Sequence, residues 1–299
     1  MGFSLFGKKL NPADASKVEN FSSITADQAS KLIKELSGGK IKKTNRLVDN
    51  VVVFSSASGG AGASTIAANV AYTAFKRGIR VMIVDLNILT PAQQLYVETK
   101  QAIEKPDLVS YLLGKTSFGE SIEHVKTGSL LYANNRSLMD YISCESDAAV
   151  ENFKDAIYSA RGLFDLIIID TPMRVDNNLC NQAFYLADQV YMVWDEGISS
   201  ISNTEKIRRA MAYTGIDIYT KMKVILNKRT NIRYSEYPFN KLNIELIQFL
   251  PFEPDVAASS LSSEIFCQKV ASNSENAGYF CGGIESLTSK IFEIGGLVE

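Results

Sequence analysis

Residues 58–65 read SGGAGAST and follow the apolar run VVVF at 51–54. Gly59, Gly60 and Gly62 let successive backbone N–H groups turn toward one anion without interference from a Cβ. A helical stretch at 65–77, closed by Gly78, presents its N-terminus to the same point, and helix N-termini attract anions. The chemistry this supports is phosphate binding by the backbone of Gly59, Gly60, Ala61, Gly62 and Ala63. Ser64 and Thr65 add hydroxyls where such a loop places a Mg2+ ligand. The strict pattern G-x-x-x-x-G-K-[ST] is absent, broken by Ala57 and Ala63.

Two carboxylates extend the constellation. Asp85 ends the run VMIVD, with Asn87 two residues on, and a carboxylate there can hold Mg2+ directly or through water, opposite Ser64. Asp170 ends FDLIIID and precedes a turn set by Pro172. One aspartate at a strand end is ordinarily a turn or cap residue. Two of them, with a glycine loop at a third strand end, describe a site for a phosphate and its cation.

The elements that must position these residues are legible as short apolar runs at 51–54, 79–85, 165–170, 189–194, 223–227 and 247–250. Each is rich in branched residues and continuous instead of alternating, as in strands covered on both faces. Another strand is expected at 129–133. Helical stretches fall between them at 65–77, about 91–114, 147–161, 176–187 and 199–214, with a further one at the C-terminus. The pattern is α/β, a doubly wound, mostly parallel sheet with helices on both faces, in which ligands bind at the carboxyl ends of the strands.

Residues 1–47 read as an appendage and 48–299 as the main domain. The appendage holds one amphipathic helix, capped by Thr25 with Gln28 three residues on, with Leu32, Ile33 and Leu36 on one face. Phe3, Leu5 and Phe6 before Lys8 and Lys9 are too few for more than weak membrane contact, and a disordered start is expected. Residues 1–50 carry nine Lys/Arg against five Asp/Glu, whereas the whole chain has a net charge of −2. The body is therefore acidic, which disfavours a grip on DNA phosphates. No apolar run reaches the roughly 18 residues of a spanning helix, and the opening residues lack a leader's apolar core. Cys144, Cys180, Cys267 and Cys281 lack C-x-x-C spacing and read as spare or buried thiols of a cytosolic protein. His124 has no histidine partner and reads as a surface or loop residue.

The stretch SGGAGASTIAANVAYTAFKRGIRVMIVDLN, with FDLIIIDTP downstream, resembles the MinD/ParA family of P-loop ATPases, whose loop reads K-G-G-x-G-K-[ST]. Within it, GGAGASTIAANVAY is most similar to the TadZ/CpaE branch of pilus-assembly localisation proteins. The resemblance spans about residues 48–295. It implies ATP or ADP with Mg2+ as cofactor, Asn227 with Lys228 in VILNKRT at the adenine, and Pro251 and Glu253 in FLPFEPDVAASS at the base pocket. It also implies a homodimer, pilus or secretion machinery including a motor ATPase as partners, and a cytoplasmic protein peripheral to the inner face of the membrane or the cell pole.

Three departures bear on catalysis. Ser58 stands where relatives carry the lysine that crosses the dimer, Ala63 replaces the loop lysine, and Asn87 replaces the carboxylate that orients the attacking water. Each lost lysine removes charge-assisted bonds worth roughly 1.5–3 kcal/mol, about tenfold to a hundredfold in affinity. Hydrolysis depends on positioned positive charge and an oriented water, so it suffers more. The expectation is a nucleotide-binding positioning protein with little or no hydrolysis. Arg174 is the best placed substitute cation, followed by Lys228 and Arg229, although an ordinary exposed arginine is the simpler reading. A ParA-type DNA-partition ATPase and a MinD-like membrane-cycling ATPase are the alternatives. Leu287, Ile291 and Ile294 share a face of the last helix, which reads as docking on the core.

Overall fold

A computed structural model describes residues 4–5, 8–9, 47–97, 99, 105–134, 137–172, 174, 176–230, 237–262, 264–269 and 275–297. The chain divides into two units, Met1–Lys43 and Thr44–Glu299. In the first, Ser4–Leu5 pairs antiparallel with Lys8–Lys9. The helix expected around Thr25–Leu36, and Phe3 and Phe6, lie outside the described residues.

The second unit is built on eight strands: β1 (Val51–Ser56), β2 (Val81–Asp85), β3 (Glu123–Val125), β4 (Gly128–Leu131), β5 (Leu166–Thr171), β6 (Gln189–Trp194), β7 (Met222–Arg229) and β8 (Glu245–Pro251). Their order across the sheet is β8-β7-β6-β1-β5-β2-β4-β3, parallel throughout except for the antiparallel edge strand β3. This is the doubly wound class that the continuous apolar runs predict.

The reason is visible in β1. Val51 and Val53 enter one core layer while Val52 and Phe54 enter the other, and all four are fully buried. Strands β2, β5 and β6 divide their side chains the same way. On one face lie α1 (Ala63–Lys76) and the last helix, α11 (Glu275–Ile294). On the other pack α5 (Asp147–Leu163), α6 (Asn178–Leu186) and α7 (Ile198–Tyr213). The docking expected of the last helix holds for Leu287 and Ile291, which are fully buried, while Ile294 is partly exposed. No helix among the described residues is long and apolar enough to cross a membrane.

One expectation needs correction, and one strand was not foreseen. No single helix covers 91–114: a 3-10 turn forms at Gln93–Leu95 and a short helix, α2, at Leu108–Leu112. Pro106 cannot donate within a helix, and Asp107 caps a new start by accepting from the Ser110 N–H at 2.9 Å. Strand β3 is only three residues long, too short to leave a periodic signal, and carries His124 on the exposed edge beside Ser129.

Strands β2 and β5 deliver the two site aspartates in register, with Asp85 opposite Asp170. Their entry points are tied by a two-pronged pair, Arg80 to the buried Asp165, at 2.9 and 2.6 Å. The planar guanidinium matches both carboxylate oxygens, so the tie fixes direction as well as proximity.

Candidate functional site

The loop between β1 and α1 is anchored where Ala57 donates its N–H to Val193 O of β6 at 3.0 Å. Gly60 and Gly62 take φ of 77° and 101°, conformations that L side chains rarely adopt. At Gly62 the demand is doubled, because a Cβ there would stand 2.5 Å from Asn227 Nδ2. Gly62 is also the N-cap of α1, and no side chain caps that helix. Asp107, Ser117, Ser137, Ser146 and Asn177 each cap the helix they precede. The first N–H groups of α1 thus have no side-chain acceptor, the arrangement that suits a phosphate.

Strand β7 braces the loop from the side. Asn227 Nδ2 donates to Ala61 O at 2.8 Å, and Lys228 Nζ donates to Gly60 O at 2.7 Å. Lys228 adopts a φ of 56°, an unusual conformation for a non-glycine residue. The register between β7 and β8 slips at this end. Phe252 N–H then donates to Arg229 O at 2.9 Å, Pro251 stands opposite Arg229, and Glu253 follows as a buried residue.

The acidic side of the site is fully enclosed. Asp85 Oδ1 accepts from the backbone and side chain of Asn87, both at 2.9 Å, and Oδ2 accepts from Ala92 and Gln93 N–H at 2.6 and 2.8 Å. Asp85 therefore holds the loop after β2 in place. Burial raises its pKa despite those donors. Asp170 is pushed up to about 7, first by burial and then by the Asp85 charge beside it, against hydrogen bonds from Gln93 and Ser64. Two buried carboxylates with little compensating positive charge favour a proton or a cation between them. Thr65 Oγ1 meets the buried Tyr96 hydroxyl at 2.8 Å at the edge of this group.

Gln93 joins the two halves. Its Nε2 donates to Asp170 Oδ2 at 2.7 Å and to Ser64 O at 3.0 Å, yet its buried Oε1 has no partner among the described residues. Buried acceptors are almost always satisfied, so this one marks a missing donor. A water in the shell of a Mg2+ ion would supply it. The uncapped helix, the close approach at Gly62 and this orphan oxygen together fit a phosphate with its cation. Ser64 and Asp170 would offer the direct ligands and Asp85 would act through the loop it holds. Mg2+ takes one or two carboxylates and fills the rest of its shell with water and phosphate.

Sequence reading did not single out Gln93, Tyr96, Asp195 or Ser200. Asp195 follows β6 as Asp85 ends β2, so the strand-end rule could have found it. It accepts from Ser58 Oγ at 3.0 Å, Ser200 Oγ at 2.6 Å and Gly197 N–H at 3.0 Å. Partial burial works against its charge, but these donors together hold the carboxyl below its ordinary pKa. Gln93 and Tyr96 sit in a loop without periodicity, and no local signal points to them.

The ranking of substitute cations changes. Arg174, expected to be best placed, is drawn away by Asp176 at 3.0 Å and by the Tyr141 hydroxyl at 2.8 Å. Lys228 is the cation that touches the loop, and Arg229 lies over the Phe249 ring at 4.4 Å. Arg174→Ala is expected to leave nucleotide affinity and turnover within twofold of the parent. A tenfold loss of either in a titration or steady-state assay would return Arg174 to the site.

The model of the AAA domain family matches residues 49–215. The septum site-determining protein MinD of Thermotoga maritima is 24% identical over 218 residues, 71% of this chain and 78% of that protein. Among solved structures, a ParA family ATPase from Chlorobium tepidum TLS superposes with a TM-score of 0.67 at 19% identity, over 83% of this chain and 99% of that one. MinD of Pyrococcus horikoshii OT3, solved with Mg-ADP, gives 0.68 at 18% identity, over 83% and 97%. With its glycine loop, its paired strand-end aspartates and this fold, the chain belongs to the AAA domain family, among the MinD/ParA-type P-loop ATPases.

Proposed function

We propose that the chain is a Mg-nucleotide-binding positioning protein with little or no hydrolysis. In this reading it dimerises and localises a pilus or secretion assembly, with its motor, at the membrane. The observation that carries the first part is the state of the two lysine positions. Ser58 is tied into the Asp195–Ser200 cluster and Ala63 is buried, while the anion cradle and the acidic pair around it are intact. Binding groups are kept and catalytic charge is not. Asn87 bonds back to Asp85 and offers no base to a water.

When bound, the Mg-nucleotide supplies a γ-phosphate whose transfer needs charge neutralisation and an aligned water. The residues present do the binding half of that work. The α1 N–H groups and the glycine loop receive phosphate, Ser64 and Asp170 hold the cation, and Asn227 keeps the loop in its binding shape. The positioning role rests on the TadZ/CpaE-like form of the loop. An acidic body argues against duplex DNA, and the buried Leu287 and Ile291 argue against a C-terminal membrane helix.

Calorimetric titration with Mg-ATP is expected to show saturable binding in the tens of micromolar, with turnover at the background of the assay. Ala63→Lys restores a loop ammonium and is expected to tighten binding about tenfold to a hundredfold. No heat up to millimolar ATP, in the parent and in this variant alike, would falsify the nucleotide reading.

A further inference from the structure

The entry of the glycine loop is held by side chains from the end of β6 and from α7. Asp195, the residue after β6, accepts from Ser58 Oγ at 3.0 Å on one oxygen and from Ser200 Oγ at 2.6 Å on the other. Gly197 N–H adds a third bond at 3.0 Å. Each hydroxyl has one proton and an ionised carboxylate only accepts, so both protons point at Asp195. The two hydroxyl oxygens stand 3.2 Å apart and close a triangle. One turn along α7 from Ser200, Asn203 Nδ2 donates to Ala57 O at 2.9 Å. The footing is firm. Ser200 is fully buried, its carbonyl accepts from Thr204 Oγ1, and that oxygen accepts from Trp194 Nε1, both at 2.8 Å. At the far end of the loop, Lys228 and Asn227 hold Gly60 O and Ala61 O.

We infer that Asp195 is a positioning residue for the nucleotide: through Ser58 it holds the loop in its anion-receiving shape before any phosphate arrives. This rests on the nucleotide reading above and names the group on which the affinity of that site depends. Asp195 itself touches no phosphate. Its effect passes through the Ser58 hydroxyl to the backbone of the glycines that follow.

Two effects of opposite sign meet at this carboxylate. Its negative charge beside an anion cradle repels phosphate. Its bond to Ser58 removes the cost of ordering the loop, which favours phosphate. Asp195 is only half-buried, so water and salt screen the repulsion. The ordering effect is the larger in this loop, because Ser58 and Ala63 supply no charge that could draw a loose loop onto phosphate. Backbone N–H groups carry the contact, and glycines leave them free to point elsewhere unless the loop is held. A charge-assisted hydrogen bond is worth about tenfold or more in the population of the ordered loop. Apparent affinity scales with that population.

The experiment combines Mg-ATP titration with amide hydrogen exchange of the loop in the free protein. Ser58→Ala is expected to weaken Mg-ATP binding about tenfold and to speed exchange at residues 59–61. Asp195→Asn, which swaps one accepting oxygen for a donor, is expected to move both readings in the same direction. The double variant is expected to bind no more weakly than Ser58→Ala, because the two changes break one bond. Ser58→Thr keeps the hydroxyl and is expected to stay within about twofold of the parent. Tighter binding by Asp195→Asn overturns the inference, since repulsion would then be the dominant effect. Additive losses in the double variant overturn it as well, since Ser58 and Asp195 would then act separately. Unchanged exchange in both single variants, with Mg-ATP still bound by the parent, overturns this inference alone. No binding by the parent overturns the nucleotide reading, and exchange in the free protein still decides whether Asp195 holds the loop.

Discussion

Gly62→Ala is expected to abolish Mg-ATP binding and to lower the melting temperature by on the order of 10 °C. Three costs add at this position. The backbone φ of 101° is unfavourable for alanine, by roughly 1–2 kcal/mol for a left-handed conformation. The new Cβ would stand 2.5 Å from Asn227 Nδ2, so that amide must move. Its movement breaks the bond to Ala61 O and leaves a buried donor and acceptor unpaired, at about 1–3 kcal/mol. The loop then loses both its shape and its brace. Gly59→Ala is the matched control, since its Cβ would meet nothing within 4 Å and its φ is not positive. Thermal melts with Mg-ATP titrations on both variants separate the cases. Equal behaviour of the two would show that the close approach at Gly62 has no part in shaping the loop.

Asp170→Asn is expected to have an effect of similar size and opposite sign on stability. Asp170 is pushed up to about 7, first by burial and then by Asp85. Its folded pKa therefore lies above the unfolded value, near the model-peptide figure of about 3.9. Between these values the folded chain holds a proton that the unfolded chain has released, so stability falls as pH rises from about 4 to about 7 and stays low above that. Asparagine keeps an acceptor for Gln93 and carries no charge. The variant should therefore melt higher than the parent at pH 8, by a few kcal/mol of stability, with the gain shrinking toward pH 4. The same change removes the carboxylate that Mg2+ would use, so Mg2+ should no longer improve nucleotide binding. For the parent, Mg2+-dependent affinity should rise with pH through about 7, as Asp170 gives up its proton. Melts at pH 4, 6 and 8, with nucleotide titrations with and without Mg2+, test both halves. A variant less stable than the parent at pH 8 would mean that the buried carboxylate contributes more through its hydrogen bonds than it costs by its charge.

Much of the architecture is legible in the sequence because both faces of the central strands are covered. A strand buried on both sides leaves a continuous apolar signature, and β1, β5 and β6 begin within one residue of the runs at 51, 165 and 189. The glycine loop, Asp85 and Asp170 were legible for a related reason. Each is set by its position at a strand end, and strand ends can be counted along the chain. The loop after β6 followed the same logic and held Asp195. Elements without a period, such as β3 and the turn at Gln93–Leu95, left no such mark.

By itself, then, the sequence determined the layered fold and the glycine-rich loop between β1 and α1, because these depend on local backbone demands and on burial patterns a few residues long. Tertiary structure alone decided which groups meet. It put Gln93 between Ser64 and Asp170, 29 and 77 positions away. It brought Lys228 to the loop in preference to Arg174 and tied Ser58 to Asp195 across 137 positions. The physical reason is that hydrogen bonds and charges act over a few ångströms of space. Distance along the chain says nothing about them until the sheet order, here β6-β1-β5-β2, has set which strand ends are neighbours.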